Sequence, residues 1–152
     1  MGSVGAGALT VLDASALVAF LLDEPARAEV EAILRRSPPP SISAVNLAEV
    51  IDRLVRVDGR LIEDVNDRIN LLMVGGLEVE PVWVPAARLA ASLRAQYYSR
   101  ASSPLSLADC VCVATAIALK TDLATSDRAL AKMARDAGVA VIALQDSTGA
   151  RP

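Results

Sequence analysis

The most apolar stretch of the chain runs from Ser106 to Leu119, and inside it only Asp109 and Thr115 are polar. An α-helix that is apolar on every side belongs in a protein core. This one is too short to span a bilayer, which takes about 20 apolar residues. Because a buried carboxylate is costly unless it is hydrogen-bonded, paired or bound to a metal, Asp109 is the first candidate functional residue.

Short β-prone runs alternate with helical periodicity along the rest of the chain. The pattern predicts strands over residues 9–12, 41–43, 77–84, 122–126 and 139–144. It predicts helices over residues 14–22, 25–34, 44–57, 60–74, 85–97, 106–119 and 128–137. Strands separated by helices imply a parallel sheet covered on both faces. Ligands of such sheets bind at the carboxyl ends of the strands, and Asp13 and Asp127 each follow a predicted strand directly.

A chain of 152 residues is most simply one domain. We predict a domain over residues 9–144, flanked by flexible segments at residues 1–8 and 145–152. The first segment lacks the charged start and apolar run of a signal peptide. Cys110 and Cys112 lie two apart on one predicted helix, so their side chains point about 200° apart and cannot bridge. Free thiols fit a reducing compartment, which predicts a cytoplasmic protein that does not enter a membrane.

The absence of histidine excludes several classes of chemistry. Ser-His-Asp and Cys-His catalysis and the usual histidine-containing zinc or iron sites all require it. The remaining groups are carboxylates, hydroxyls, Arg and Lys, and oxygen ligands favour Mg²⁺ or Mn²⁺ if a metal binds. A net charge of −3 does not suggest a broad basic surface, so any contact with nucleic acid must be local.

Each candidate acid also has a structural explanation that involves no chemistry. Asp13 and Asp127 could each cap the helix that follows, with Ser126 as the competing cap of the second. Asp109 has the spacing of a capping box with Ser106. Glu49 lies opposite the apolar face of its helix and could be solvated surface or the wall of a cleft.

Taken together, the acids support a functional interpretation better than each does alone. Two strand-end aspartates and one acid on a buried helix are expected to converge on the same edge of the sheet. Clustered carboxylates repel one another and raise each other's pKa. A divalent cation removes that cost, and it can also activate a water and stabilise charge on a phosphoryl oxygen.

Four short motifs, in order and at suitable spacing, resemble those of the PIN-domain ribonucleases, and in particular the VapC-type toxins of toxin–antitoxin pairs. The resemblance covers residues 10–144. The motifs are Val11–Leu17 around Asp13, Ser43–Val50 around Glu49, Leu105–Cys110 around Asp109, and Ala124–Leu130 around Asp127.

The resemblance implies a three-layer α/β/α sandwich with a central parallel sheet of four to five strands. It also implies cleavage of RNA by a water activated by Mg²⁺ or Mn²⁺. The implied catalytic and metal-binding residues are Asp13, Glu49, Asp109 and Asp127, with Ser15 and Thr125 in supporting roles. Some relatives carry a further acid just after the fourth motif, where Arg128, Ala129 and Leu130 stand here, so one or two metals remain possible.

Family toxins are typically homodimers inhibited by a small VapB-type antitoxin whose C-terminal segment covers the active site. An acidic cleft would suit an inhibitor that carries arginine. For RNA contacts we favour Arg128, and then Arg94 and Arg100, which flank Tyr97 and Tyr98 and could combine phosphate contacts with base stacking. A solvated helix face with Tyr97 in the core is the alternative at that segment.

Three other functions compete with a toxin. A PIN-like nuclease could process RNA without an antitoxin. A phosphohydrolase could use Asp13 as a covalent nucleophile, although no second acid follows two residues later. A PIN-like module could bind a partner without cleaving RNA, but the four intact acids argue against it.

Overall fold

The structure is a computed structural model that describes residues 9–152. Five strands form one sheet in the order β3-β2-β1-β4-β5, and all neighbouring pairs are parallel. The strands are β1 Thr10–Leu12, β2 Ser41–Ser43, β3 Glu78–Glu80, β4 Asp122–Thr125 and β5 Val141–Ala143. The predicted flexible segment 1–8 lies outside the described residues.

Seven α-helices cover the two faces of this sheet. They are α1 Ala14–Leu21, α2 Arg27–Leu34, α3 Ala44–Asp52, α4 Ile62–Val74, α5 Val84–Tyr97, α6 Leu107–Leu119 and α7 Arg128–Asp136. Helices α1 to α4 pack around one core and α5 to α7 around the other. Adjacent residues Val11 and Leu12 of β1 enter opposite cores, because side chains alternate along a strand. The predicted three-layer α/β/α sandwich is confirmed.

Helix α6 is the buried element that the pattern predicts. Its residues from Cys110 to Ala116 are all buried, and both cysteines are free. Thr115 donates a hydrogen bond to the carbonyl of Val111 at 2.8 Å, so its hydroxyl is satisfied inside the helix. Over residues 9–152, no helix has the length and apolar character needed to cross a membrane.

The two largest departures from the predicted pattern are at β3 and α3. Strand β3 ends at Glu80 rather than at residue 84, because Pro81 follows and has no N–H for the ladder. Helix α3 does not continue regularly to residue 57 but passes into a π-helix, Arg53–Val57. Such wide turns occur often at functional sites.

The last residues of the chain lie against α2 and β5. Arg151 donates hydrogen bonds to both carboxylate oxygens of Glu29 at 3.0 Å and to the carbonyl of Ala143 at 2.6 Å. These contacts bring residues 146 and 147 beside the carboxyl ends of the strands. The predicted domain limits and the predicted flexibility of this segment stay predictions.

Candidate active site

A cavity of about 440 Å³ opens where β1 and β4 end, and all four predicted acids line it. Three further acids and one base line the same cavity within the described part of the chain, namely Glu24, Asp52, Asp146 and Arg53. The convergence expected from the parallel sheet is therefore present. The cavity is strongly acidic in a chain whose net charge is only −3.

Asp13 is the most buried of the acids, with 4% of its surface exposed. It occupies the N-cap position of α1, but its side chain makes no capping hydrogen bond. Its Oδ2 instead accepts hydrogen bonds from the hydroxyls of Ser15 at 2.8 Å and Thr125 at 2.9 Å. The carboxylate is thus held by side chains from two segments rather than used to begin the helix.

Thr125 connects the ends of the two central strands. Its hydroxyl donates to Asp13 and accepts from the backbone N–H of Asp127 at 3.0 Å. Ser15 accepts from the backbone N–H of Ser126 at 3.2 Å in the same way. The two hydroxyls lie 3.5 Å apart. Together they orient Asp13 and the chain segment that carries Asp127.

If the site cleaves RNA with a metal, as the four motifs imply, Thr125→Val should lower the cleavage rate by about 10- to 100-fold, the usual cost of removing a partner that orients a metal ligand. Valine has nearly the same shape, but it can neither donate to Asp13 nor accept from the Asp127 N–H. The measurement is the cleavage rate under saturating metal. Thr125→Ser keeps the hydroxyl and is the matched control, so equal losses in both variants would contradict this role.

Asp109 and Asp127 both make the helix-capping hydrogen bonds that their positions in the sequence suggested. Asp109 completes a capping box, since its Oδ2 accepts from the N–H of Ser106 at 2.7 Å and its own N–H donates to the Ser106 hydroxyl at 3.0 Å. Asp127 caps α7 by accepting from the N–H of Leu130 at 2.8 Å. Both acids nevertheless line the cavity, so capping and a place in the site are compatible.

Glu49 is only partly exposed, because the start of α6 packs over this part of α3. Its Oε2 accepts a hydrogen bond from the side-chain amide of Asn46 at 3.1 Å. The helical pattern pointed to a solvated face and did not single out Asn46. Of the two positions considered for Glu49, solvated surface or the wall of a cleft, the structure shows the wall of a cleft.

The four predicted acids share one arrangement of hydrogen bonds. In each, hydrogen bonds from neighbouring groups hold one oxygen of the carboxylate. The positioned oxygens are Oδ2 of Asp13, Oε2 of Glu49, Oδ2 of Asp109 and Oδ1 of Asp127. The four carboxylates are therefore held in place beside the cavity that they line.

Burial and mutual repulsion raise the pKa of three of these acids. Burial raises the pKa of Asp109 to about 6, and the charges of Asp13 and Asp127 add to the rise. Burial also raises the pKa of Asp13, against the lowering by its hydroxyl partners. For Glu49, burial and then the neighbouring acids raise the pKa. The carboxylates are close enough to repel one another electrostatically, and a bound cation would offset the cost of that repulsion.

An all-oxygen donor set fits Mg²⁺ or Mn²⁺. Within residues 9–152, however, no three acids lie close enough together to hold a metal ion directly. Mg²⁺ usually keeps several waters and binds through one or two carboxylates. The residues present fit such a partly hydrated cation better than one enclosed by protein ligands.

The predicted RNA-contacting arginines lie in different places. Arg128 begins α7, and its charge adds to the lowering of the Asp146 pKa, whose largest cause is a hydrogen bond from Thr148. Arg94 lies over the ring of Tyr98 at 4.7 Å and donates to the carbonyl of Leu105. None of the three predicted arginines, Arg100 included, lines the acidic cavity, whereas Arg53, which sequence reasoning missed, does.

A family model described as PIN domain matches residues 10–136. No curated protein gives a significant match to the chain. Among solved structures, the toxin VapC20 of Mycobacterium tuberculosis, described as sarcin-ricin loop cleaving, is similar with a TM-score of 0.65 and 17% identity, over 81% of this chain and 93% of that one.

Two further solved structures are similar to this chain. FitAcB of Neisseria gonorrhoeae is similar with a TM-score of 0.64 and 23% identity, over 88% of this chain and 96% of that one. DNA-bound VapBC of Salmonella typhimurium is similar with a TM-score of 0.64 and 18% identity, over 89% of this chain and 97% of that one. These identities establish a shared fold. Since the PIN-domain model also matches most of the sequence, the chain belongs to the PIN-domain family.

Proposed function

We propose that the protein is a toxin-type endoribonuclease that hydrolyses RNA phosphodiester bonds with the aid of Mg²⁺ or Mn²⁺. The observation that carries this proposal is the convergence of Asp13, Glu49, Asp109 and Asp127 on one cavity, each held there by hydrogen bonds to one of its oxygens. Membership of the PIN-domain family and the similarity to a toxin described as cleaving the sarcin-ricin loop support it.

One or two of the four acids would hold the cation directly and the others through its bound waters. The cation would supply an activated water and stabilise charge on the phosphoryl oxygens. Asp13 provides the most rigid anchor, because it is buried and held by two hydroxyls. Glu49 and Asp109 face it from α3 and α6. Their raised pKa values, about 6 for Asp109, bring them toward the range in which carboxyl groups exchange protons near neutral pH.

RNA must bring its phosphates to a cavity that repels them. Arg53 is the base among the described residues that line the cavity. Its Nε donates to Asp58 at 2.9 Å, which holds the guanidinium at the start of the π-helix. We propose Arg53 as the phosphate contact at the cavity and Arg128, whose charge acts on Asp146, as a second one. The predicted contacts at Arg94 and Arg100 stay predictions.

Cleavage of structured cellular RNA by the purified protein tests the proposed activity. We expect cleavage in Mg²⁺, its loss in EDTA, and its return when Mg²⁺ or Mn²⁺ is added in excess. Asp13→Asn should lower the rate on the order of 10³-fold, as loss of a central catalytic carboxylate does. Asp67→Asn, on the exposed side of α4, is the control. Undiminished cleavage in EDTA or by Asp13→Asn would reject the proposal.

A small antitoxin is the proposed inhibitor. Two observations support it. The excess of acids in the cavity favours an arginine-bearing segment. The chain is also similar to a solved toxin–antitoxin complex of Klebsiella pneumoniae, with a TM-score of 0.53 and 21% identity over 78% of this chain and 86% of that one. Without an antitoxin, the same site would suit an RNA-processing nuclease.

A homodimer is the proposed assembly. Large apolar side chains are exposed at the end of α4, where Leu71 is 71% and Val74 87% exposed. Exposed apolar groups that cluster often mark protein interfaces. We place the protein in the cytoplasm, where its two free cysteines would remain reduced.

A further inference from the structure

Asn46 is a fully buried polar side chain between two of the helices that carry the acids. It lies in the first turn of α3, and its surface is 0% exposed. Its side-chain amide nitrogen donates to Oε2 of Glu49 at 3.1 Å and to the carbonyl of Ala108 at 3.2 Å. Ala108 immediately precedes Asp109 in α6. One amide group therefore contacts one acid and the backbone beside another.

The partners of Asn46 allow only one orientation of its amide. The Ala108 carbonyl can only accept hydrogen bonds, and so can the ionised carboxylate of Glu49. The amide nitrogen of Asn46 must therefore face both of them. The amide oxygen then faces the hydroxyl of Ser43, which donates to it. All of the hydrogen-bonding groups of the Asn46 side chain are satisfied in this arrangement, and a flipped amide would lose the bonds to Glu49 and to the Ala108 carbonyl.

Helix capping does not explain the side chain. Ser43 caps α3 by accepting from the backbone N–H of Asn46 at 3.0 Å, and almost any residue at this position supplies that N–H. The side chain makes a separate set of contacts, directed at Glu49 and at α6. A buried polar group that bridges two elements in this way fixes their spacing.

We propose that Asn46 is a positioning residue for the nuclease reaction, one that orients Glu49 and sets its distance from Asp109 through a single amide bridge. The proposal rests on the proposed function. The amide donates to Oε2 of Glu49, and so holds the carboxylate of an acid that lines the cavity. The contact with Ala108 holds the first turn of α6 against α3.

The test combines Asn46→Ala with Glu49→Ala and measures both catalysis and metal binding. We expect Asn46→Ala to lower kcat by about 10- to 100-fold with little change in the KM for RNA, and to weaken Mn²⁺ binding by about tenfold, as loss of an outer-shell partner does. Mn²⁺ binding is followed by paramagnetic resonance in the absence of RNA. Asn66→Ala, on the exposed face of α4, should change neither.

The double variant separates positioning from general stability. If Asn46 acts through Glu49, then Asn46→Ala should change kcat and Mn²⁺ affinity by less than about twofold once Glu49 is alanine. An undiminished effect in that background would overturn the proposal, as would unchanged kcat and affinity in the single variant. Asn46→Ser, a smaller polar replacement, serves the same cycle if Asn46→Ala fails to fold.

The proposed function and this inference fail in different ways. A wild-type protein that neither cleaves RNA nor binds Mn²⁺ through its carboxylates would reject both. A wild-type protein that cleaves RNA in Mg²⁺, paired with Asn46 variants of unchanged kcat and Mn²⁺ affinity, would reject the positioning role alone.

Discussion

Asp109→Asn is expected to stabilise the metal-free protein at pH 7 while it abolishes RNA cleavage. Burial raises the pKa of Asp109 from 3.8 to about 6, so the folded protein holds this proton more tightly than the unfolded chain. Asparagine keeps an oxygen that can accept from the Ser106 N–H, but it carries no charge. A shift of this size corresponds to about 3 kcal/mol, which is the upper limit of the gain.

The pH dependence follows from the direction of this shift. Below about pH 4, Asp109 is protonated in both the folded and the unfolded protein. Its tighter hold on the proton in the folded protein then contributes fully to the free energy of unfolding. As the pH rises from about 4 through 6, the unfolded chain ionises first and that contribution is lost. The free energy of unfolding, measured with urea in EDTA, should therefore favour Asp109→Asn at pH 7 and show little difference near pH 4. A less stable variant at pH 7 would contradict the assigned burial cost.

Mg²⁺ or Mn²⁺ should stabilise the wild-type protein by about 2.7 kcal/mol at 100 times its dissociation constant, from the linkage of binding to folding. The ion would offset the repulsion among acids whose pKa values are raised. Because a proton competes for Asp109, the apparent affinity should fall as the pH drops below about 6.

Thermal or urea unfolding with and without the metal measures this effect. Asp13→Asn should lose most of the stabilisation, whereas Asp67→Asn should retain it, since Asp67 lies outside the acidic cavity. Equal stabilisation of the two variants would mean that the metal binds somewhere else on the protein.

The sequence predicted most of the fold and the acids at the strand ends, for physical reasons that act locally. A parallel sheet places Asp13 and Asp127 at one edge, and the cost of burying a carboxylate singles out Asp109. Glu49 was harder to assign, because the apolar pattern of α3 reports which face meets the core and not which face a second helix covers. Its contact with Asn46 depends on α6, which lies about sixty residues further along the chain.

The parts that were missed depend on packing between distant segments. Arg53 reaches the cavity at the start of a π-helix, and this widening of the turn has no signature in the hydrophobic pattern. Asp146 reaches it because Arg151 binds Glu29 and the carbonyl of Ala143. A polar segment near the end of a sequence gives no hint of such partners, so its place beside the site came from the structure alone.

The buried cysteines of α6 make the protein a convenient substrate for chemical labelling. Burial raises the pKa of the Cys110 thiol to about 11 and that of Cys112 well above its usual value, so both react slowly with maleimides at neutral pH. Ser147 is exposed at the rim of the acidic cavity. A cysteine introduced there would be the one reactive thiol in the chain, and a fluorophore or spin label attached to it would report directly on the approach of RNA or an inhibitor.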